Sequence, residues 1–254
     1  MELVRTDYGV AVERPGAAPL PLRLILGIGR NYSEHAAEQG VDAPDRPMVF
    51  TKHPGSAILH GDDIIIPPSC VDPDTGGEQV DFEGELAVIL AEPCRDVPEE
   101  QALSKVLGYC CANDVSARWW QKKGSGGQFI RGKSFDTFCP MGPRVTPASE
   151  VPDPQALRVV TRVSGDVMQD ASTGLMMFSV ATLIAELSVG TTLPAGTAIL
   201  TGTPSGVGMA RTPPRYLKPG DTVEIEIEGV GERSGLKLGR LKNAVVAGGV
   251  AGDG

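Results

Sequence analysis

Length, composition and charge restrict this chain to a few classes of protein. At 254 residues it is long enough for one large domain, or two small ones, with a substantial core. Its formal net charge of −9 argues against a nucleic-acid-binding surface. We expect neither a signal peptide nor a membrane helix, since no apolar run approaches the ~20 residues that a span needs. Five cysteines without zinc-type spacing favour a reduced, cytoplasmic protein.

The predicted elements are mostly short strands, in line with the 32 glycines and 21 prolines. Apolar or alternating stretches predict strands, in chain order, at 7–12, 22–28, 48–52, 63–66, 80–90, 106–113, 129–141, 157–163, 167–169, 197–200, 222–227 and 235–241. Helices are predicted at 33–40, 98–105, 115–123 and 178–188, the last with Ser179 as its N-cap. A turn-rich connector is predicted at 15–21.

The stretch 80–90, Val-Asp-Phe-Glu-Gly-Glu-Leu-Ala-Val-Ile-Leu, is the most informative of these strands. Residues two apart share a face of a strand, so Asp81, Glu83 and Glu85 are predicted to lie together. Further along, both faces of the strand are apolar, which predicts a buried central strand. Carboxylates that lead into such a strand need a cation or must stay protonated.

The chain offers a comparison for this interpretation. Glu224, Glu226 and Glu228 alternate in the same way, and we predict an ordinary solvent-exposed face for them. A solvated face is also the alternative for the first strand. Two or three carboxylates on a rigid strand, however, suit a hard divalent cation such as Mg²⁺, Mn²⁺ or Ca²⁺.

Three further residues could carry acid–base or ligand chemistry. His35 and Glu38, three apart in the predicted helix 33–40, can form a dyad that activates water. The alternative is an incidental polar pair on a surface helix, and spacing alone favours it. Glycines just upstream would let this helix move as a lid. Asp114 ends a strand and by itself is typical of a helix N-cap, but it can complete a three-carboxylate site.

Several basic and polar residues could hold an anion. Arg118 and Gln121 share a predicted helix, Lys133 lies in a tight loop, and Lys52 either joins them or covers a strand end. For each base the alternative is a solvated cation. Convergence of these bases on one pocket would favour an anionic substrate such as a carboxylate. The stretch 201–208 could offer backbone N–H groups to a substrate oxyanion, or be a turn-rich connector.

Five motifs in register resemble the fumarylacetoacetate hydrolase (fumarylacetoacetase) family. They are Gly29-Arg-Asn-Tyr-Ser-Glu-His35, the Glu83-x-Glu85 strand, Asn113-Asp-Val-Ser-Ala-Arg118, Gly132-Lys-Ser-Phe-Asp-Thr-Phe-Cys-Pro140 and Leu200-Thr-Gly-Thr-Pro-Ser-Gly-Val-Gly208. The resemblance covers about 22–246. It implies an α+β, predominantly β fold, a mixed β-roll or β-sandwich with a few short helices, usually in a homodimer. It leaves 1–21 as an N-terminal hairpin and connector and 247–254 as a flexible tail.

The resemblance also implies roles for individual residues. The family's divalent cation, most often Mg²⁺ with Mn²⁺ or Ca²⁺ as substitutes, would be held by Glu83, Glu85 and Asp114. Catalytic roles fall on His35, Glu38 and Lys133. Substrate binding falls on Arg30, Arg118, Gln121 and Thr203.

These expectations support several functions. The leading hypothesis is a metal-dependent hydrolase that cleaves a C–C bond in a small β-diketo acid of the acylpyruvate or fumarylpyruvate type, with His35 activating the water. An oxaloacetate decarboxylase, or an isomerase or hydratase of an oxo-dienoate, would use the same enolate stabilisation without water attack. The alternative from another class is a catalytically silent metal-binding β-roll protein.

Overall fold

The computed structural model describes residues 1–7, 9–34, 44–231 and 235–249. In these residues the strands are β1 Leu3–Thr6, β2 Gly9–Arg14, β3 Ala17–Pro21, β4 Leu24–Gly29, β5 Met48–Lys52, β6 Ala57–Leu59, β7 Ile64–Ile66, β8 Val80–Asp81, β9 Gly84–Leu90, β10 Val106–Asn113, β11 Ser116–Ala117, β12 Cys139–Pro147, β13 Leu157–Val163, β14 Asp166–Ser172, β15 Thr197–Leu200, β16 Thr222–Gly229 and β17 Lys237–Ala247. The α-helices are α1 Glu99–Ala102, α2 Arg118–Gln121, α3 Phe129–Lys133 and α4 Val180–Ser188. No helix in the described part of the chain is long and apolar enough to cross a membrane.

Two large sheets dominate the described residues. The first has seven strands in the order β5-β4-β15-β9-β10-β12-β6, and the second has five in the order β14-β13-β16-β17-β7. A three-stranded sheet, β1-β2-β3, and the short pair β11-β8 complete the strand pairing. Strand β9 pairs antiparallel with both β10 and β15, so it lies at the centre of the seven-stranded sheet.

Alternate residues of β9 enter two different cores. Leu86 and Val88 belong to the core that includes Ile225 of the five-stranded sheet. Ala87 and Ile89 belong to the core that includes Val12 of the N-terminal sheet. Every residue of β9 is buried. Since both faces are covered, its apolar second half is the pattern expected of a central strand, and that prediction is confirmed.

The predicted predominantly β, α+β fold is confirmed, and so are most of its elements. The helix near 178–188 begins at Val180, and Ser179 caps it by accepting a hydrogen bond from the Thr182 N–H at 3.1 Å. The predicted hairpin is present as β13 and β14. The predicted strand 80–90 is divided, because the chain leaves the ladder at Phe82 and Glu83.

Three local predictions are wrong, and long-range packing explains each. Residues 129–133, predicted to be extended, form α3, which packs so closely on α2 that a Cβ at Gly132 would lie 2.4 Å from the Gln121 nitrogen. The predicted connector 15–21 contains β3, which pairs with β2 at the edge of its sheet, where proline is tolerated. The predicted helix 115–123 shortens to α2, because Ser116 and Ala117 pair with β8.

The predicted lid helix 33–40 lies mostly outside the described residues. Ser33 and Glu34 are described and helical, whereas His35 and Glu38 are not described. The catalytic roles of these two residues therefore stay predictions.

Candidate functional site

Antiparallel pairing of β9 with β10 brings together three carboxylates that are far apart in sequence. The ladder sets Glu85 opposite Ala112, and just beyond it the Asp114 N–H donates to the Glu83 carbonyl at 2.8 Å. Oxygens of Glu83, Glu85 and Asp114 consequently lie within 4.8 Å of one another, and all three residues are buried. The structure thus assembles the predicted ligand set as the carboxylate centre, the name used below for these three side chains.

Glu85 is a fully buried member of the carboxylate centre. Burial raises its pKa well above the usual value, and the charges of Asp114 and Glu83 raise it further. The Gly202 N–H donates to Glu85 Oε2 at 2.7 Å. Gly202 has φ of +96°, and a Cβ there would lie 2.7 Å from Asn31 Cβ, so glycine is what permits this amide to reach the carboxylate.

Two lysines and an arginine surround the centre from the other side. Lys133 Nζ donates to Glu83 Oε2 and to Asp114 Oδ2, both at 2.6 Å. Lys52 Nζ donates to the other Asp114 oxygen, Oδ1, also at 2.6 Å. The Arg118 guanidinium pairs with Glu83 Oε1 at 2.7 Å. All of these side chains are buried, so the interactions are screened little by solvent.

The charge state of Lys133 follows from these contacts. Burial disfavours its ammonium, but the Asp114 and Glu83 carboxylates outweigh that effect and raise the pKa of Lys133 above its usual value. In this arrangement Lys133 is suited to donating hydrogen bonds and to stabilising negative charge.

Lys52 follows the first of its two predicted alternatives, since it joins the other bases at the carboxylate centre and does not simply cover a strand end. Its side chain is fully buried at the end of β5 and is committed to Asp114. Local sequence offers no signal for this, since a lysine after an apolar strand usually emerges into solvent.

Asp81 corrects the prediction that all three alternating acids share a face. Because the chain leaves the ladder between β8 and β9, Asp81 Oδ2 accepts hydrogen bonds from Arg118 Nε at 2.9 Å and Nη2 at 2.7 Å. Asp81 Oδ1 accepts from the Gly208 N–H at 2.8 Å, and Oδ2 also accepts from the Met209 N–H at 3.0 Å. Asp81 thus fixes Arg118 and the loop beside it, and the carboxylate centre does not include it.

Two backbone amides of the stretch 201–208 donate to the protein's own carboxylates. Gly202 N–H is bonded to Glu85 and Gly208 N–H to Asp81, so these two donors are not available as the oxyanion cradle considered for this stretch. Thr203 Oγ1 donates to the Gly84 carbonyl at 3.0 Å and accepts from Gln169 Nε2 at 2.6 Å.

The donor set of the carboxylate centre fits a hard divalent cation. All its ligand atoms are carboxylate oxygens, the ligands that Mg²⁺, Mn²⁺ and Ca²⁺ prefer. With every group ionised, four carboxylates (Asp81 with the centre) face three cations, Lys52, Lys133 and Arg118, an excess of one negative charge. A divalent ion would reverse that sign and leave the site attractive to an anion.

A cavity of about 440 Å³ opens onto this centre. Its walls include the five predicted pocket residues and one member of the centre: Arg30, Arg118, Gln121, Lys133, Thr203 and Glu83. The remaining walls are mostly apolar, with Phe50 lying 4.9 Å from Lys133 Nζ at its ring centroid. The structure thus brings the predicted substrate-binding residues into one cavity, and their roles toward substrate stay predictions.

Sequence reasoning missed several contributions to this site, namely Asp81 in its observed role, Tyr32 and Gln169. Gln169 Oε1 accepts a hydrogen bond from the Gly84 N–H at 2.9 Å, and Gly84 is a residue from which this close packing could have been predicted. Glycine inside a strand often marks a close approach, and a Cβ there would lie 1.9 Å from Thr161 Oγ1. Tyr32 is buried near Glu85. Burial raises the pKa of its hydroxyl, and the negative charge of Glu85 raises it further.

A predominantly β fold with a buried carboxylate centre beneath a cation-lined cavity is shared with a known family of enzymes. The chain belongs to the fumarylacetoacetate hydrolase family: the family model described as fumarylacetoacetate (FAA) hydrolase C-terminal matches residues 24–246. The resemblance deduced from the five motifs is thereby confirmed.

Relatives within the family carry different activities in their names. The oxaloacetate tautomerase YisK of Bacillus subtilis is 44% identical over 85% of this chain and 70% of its own length. The fumarylacetoacetate hydrolase of Exiguobacterium antarcticum superposes with a TM-score of 0.76 at 39% identity, over 93% of this chain and 81% of that one. The 5-carboxymethyl-2-hydroxymuconate delta-isomerase of Mycobacterium smegmatis does so with a TM-score of 0.76 at 33% identity, over 98% and 99%.

Proposed function

We propose that this protein is a divalent-metal-dependent enzyme that interconverts the keto and enol forms of a small 2-oxo acid such as oxaloacetate. The observation that carries the proposal is the carboxylate centre with the Lys133 ammonium bridging Glu83 and Asp114 at 2.6 Å beneath the cavity. The similarity to YisK, named as an oxaloacetate tautomerase, supports the choice of reaction.

The reaction needs charge stabilisation more than it needs a nucleophile. The step moves one proton: the C3–H bond breaks, solvent water takes the proton, and the resulting enolate gains a proton from water at its C2 oxygen, so no electrons are lost or gained. Glu83, Glu85 and Asp114 would hold the cation, Mg²⁺ by preference, which supplies Lewis-acid polarisation of the keto oxygen when it is bound. Lys133, held cationic by its carboxylates, donates toward negative charge that develops in the cavity.

The cavity residues would position the acid for this chemistry. Arg118 lies in the cavity wall, where Asp81, Glu83 and Gln121 pair with its guanidinium and fix its position. Most of its N–H groups are thereby used, so Arg118 would act on substrate mainly as a fixed positive charge. A preorganised charge of this kind lowers the cost of fitting a carboxylate.

Hydrolysis of a C–C bond in a small β-diketo acid is the second candidate. It is favoured by the His35–Glu38 pair in the sequence and by the likeness to the hydrolase of Exiguobacterium antarcticum. It would use the same enolate stabilisation and add a water activated by His35.

Direct assay distinguishes these reactions. Keto–enol interconversion of oxaloacetate, followed by ultraviolet absorbance with Mg²⁺ and with chelator, should be accelerated only with the metal. A panel of acylpyruvates, analysed for the acid and pyruvate products, tests hydrolysis. Acylpyruvate cleavage without tautomerase activity would replace the first candidate by the second. Absence of both activities with every substrate and metal would contradict the proposal.

The variant His35→Ala adds a separate test of the second candidate. It should abolish any C–C hydrolysis, because the water then lacks its base, and it should leave metal binding intact, because His35 is not among the proposed ligands. Full hydrolase activity in this variant would show that the base is misassigned.

A further inference from the structure

The aromatic ring of Phe50 contacts the ammonium group of Lys133. Lys133 Nζ lies over this ring at 4.9 Å from its centroid, within the ~6 Å at which the face of an aromatic ring attracts a cation. Lys133 is 1% exposed, and a desolvated cation–π contact is stronger than an exposed one. The ring therefore acts on the same ammonium that Glu83 and Asp114 hold at 2.6 Å.

The register of β5 against β4 determines where this ring lies. Phe50 is paired directly with Gly27, and directly opposed residues of an antiparallel pair point to the same face of the sheet. A Cβ on Gly27 would overlap the ring of Phe50, so the ring lies across β4 in the space that this glycine leaves open. Met48 lies over Gly29 in the same way. Two glycines of β4 thus allow two side chains of β5 to fold across the sheet.

Alternation along β5 places the ring on the face of the sheet that carries the carboxylate centre. Lys52, two residues after Phe50, shares its face of the strand and donates to Asp114 at 2.6 Å. Phe50 itself lines the cavity above the centre, as Lys133 does. The ring and the ammonium therefore meet at the wall of the proposed reaction site.

A second ring, that of Phe129, supports Phe50. Phe129 and Lys133 are four apart in α3 and so share a face of this helix. The rings of Phe129 and Phe50 pack with their centroids 5.6 Å apart and their planes at 53°. Both phenylalanines line the cavity above the carboxylate centre and a second cavity of about 380 Å³, which Lys133 does not line. The two rings thus form a wall shared by the cavities, and this wall shields the ammonium from water in the second one.

These contacts restrict the position of the ammonium. Two N–H groups of Lys133 are used by Glu83 and Asp114, and the ring of Phe50 covers a further side. A lysine side chain loses much rotamer entropy when it is fixed in one position. A ring face attracts the ammonium without taking its proton, and this attraction offsets part of that entropy loss.

We propose that Phe50 is a positioning residue for Lys133: the face of its ring fixes the ammonium where it stabilises the negative charge that develops on substrate. The inference rests on the proposed function, in which Lys133 donates toward that charge. Phe50 acts through Lys133 and exchanges neither a proton nor an electron.

Fluorination of the ring tests this role with little change of shape. Fluorine atoms withdraw electron density from the ring face, which weakens its attraction for a cation. Phe50 is replaced in turn by 4-fluoro-, 3,5-difluoro- and 3,4,5-trifluorophenylalanine, and kcat and KM for keto–enol interconversion of oxaloacetate are measured in Mg²⁺. The midpoint of urea denaturation is measured for the same proteins in chelator.

Phe129 is the matched control, since it lines the same two cavities and packs on Phe50. In the part of the chain that the structure describes, cations lie over the rings of Phe50, Trp120 and Phe135, and none lies over that of Phe129. The same fluorinated series in place of Phe129 therefore alters a comparable ring that lacks the cation.

Along the series that replaces Phe50, kcat should fall stepwise, by about tenfold in all, with a smaller change in KM. The urea midpoint should fall in the same order, because the buried ammonium loses part of its attraction to the ring. The series that replaces Phe129 should leave both quantities unchanged. A kcat that stays constant along the Phe50 series, or that falls equally along the Phe129 series, would overturn the proposal.

The proposed function and this positioning role fail separately. A protein without tautomerase activity, in which the urea midpoint falls only along the Phe50 series, would reject the reaction and keep the contact between ring and ammonium. Tautomerase activity that does not change along the Phe50 series would keep the reaction and reject the positioning role.

Discussion

Two acidic strands of this protein have nearly the same alternating pattern and opposite physical properties. In the β8–β9 segment, Glu83 and Glu85 are buried, and burial and neighbouring charge raise the pKa of Glu85 well above its usual value. In β16, Glu224 and Glu226 lie on a half-exposed face, and a hydrogen bond from Lys242 lowers the pKa of Glu224. The difference arises from what covers each face, since β9 has a core on both sides and β16 on one.

The partners of the two sets differ in the same way. The acids of β16 face long basic side chains across the sheet, with Lys242 at 2.9 Å from Glu224 and Arg162 at 3.5 Å from Glu226. Such exposed pairs satisfy one another and require nothing further. The carboxylate centre has three carboxylates and only two buried lysines, so its acids are not matched one to one. Alternation identifies a face, and burial decides whether that face must hold an ion.

Removing a charge should therefore cost far more in the first region than in the second. Asp114→Ala leaves two buried ammonium groups without their shared carboxylate, so the free energy of unfolding should fall by about 3–5 kcal/mol. Glu226→Ala should change it by less than about 1 kcal/mol. Urea denaturation of both variants in chelator measures this difference. An Asp114→Ala protein as stable as Glu226→Ala would contradict the contrast.

Substitutions in the two regions should also differ strongly in their effect on kcat/KM. Glu85→Gln keeps an oxygen that can accept from the Gly202 N–H but loses the charge that a cation requires. We expect its kcat/KM with oxo acids to fall roughly 10³-fold, which corresponds to about 4 kcal/mol of transition-state stabilisation. Glu226→Gln serves as the control and should retain wild-type rates. Equal rates in the two variants would remove Glu85 from the mechanism.

The two buried lysines beside the carboxylate centre should differ in their effects on turnover and on stability. Lys133 lines the cavity and donates to Asp114 Oδ2. Lys52 is not among the residues that line the cavity, and it donates to the other oxygen, Asp114 Oδ1. Lys133→Ala should reduce turnover about 10²-fold by removing a donor to developing charge. Lys52→Ala should lower the free energy of unfolding by about 1–3 kcal/mol and reduce turnover less. If steady-state kinetics showed a larger loss of turnover in Lys52→Ala than in Lys133→Ala, the roles assigned to the two lysines would be wrong.

The exposed face should respond to pH and salt by a small amount. Because the folded-state pKa of Glu224 is lowered from 4.5, its contribution to stability is present above the unfolded pKa and is lost as pH falls through the folded value. Glu224→Gln should thus cost about a few tenths of a kcal/mol at pH 7, after allowance for solvent screening, and less in high salt. Thermal unfolding of both proteins at pH 7 and pH 3 measures the difference. A larger loss of stability in Glu224→Gln at pH 3 than at pH 7 would contradict the lowered pKa of Glu224.

Much of this molecule could be predicted from its sequence, because strong local patterns and motif order agree. The central strand ending in Leu90 followed from its apolar pattern and the N-cap at Ser179 from capping preference. The grouping of Glu83, Glu85 and Asp114 followed from the motif order, through the resemblance to the family. What failed depends on contacts between distant segments. Helix α3 forms because Gly132 packs on the backbone of α2.

The hydrogen-bond partners of individual polar side chains could not be predicted from the sequence either. Asp81 leaves the carboxylate face because the ladder breaks after β8, and Lys52 is buried because Asp114 accepts its hydrogen bond. Neither event alters the local pattern of residue types. Both depend on a partner that lies 30 or more positions away, Arg118 for Asp81 and Asp114 for Lys52, with sequence separations of 37 and 62.

Titration with Mn²⁺ tests most directly the claim that the buried acids hold an ion and the exposed acids do not. Calorimetry or electron paramagnetic resonance should find about one Mn²⁺ per chain in wild type and in Glu226→Gln. In Glu85→Gln the affinity should fall at least about 10²-fold, since a charged oxygen ligand is lost. Unchanged Mn²⁺ affinity in Glu85→Gln, or an equal loss in Glu226→Gln, would contradict the assignment of the carboxylate centre as the metal site.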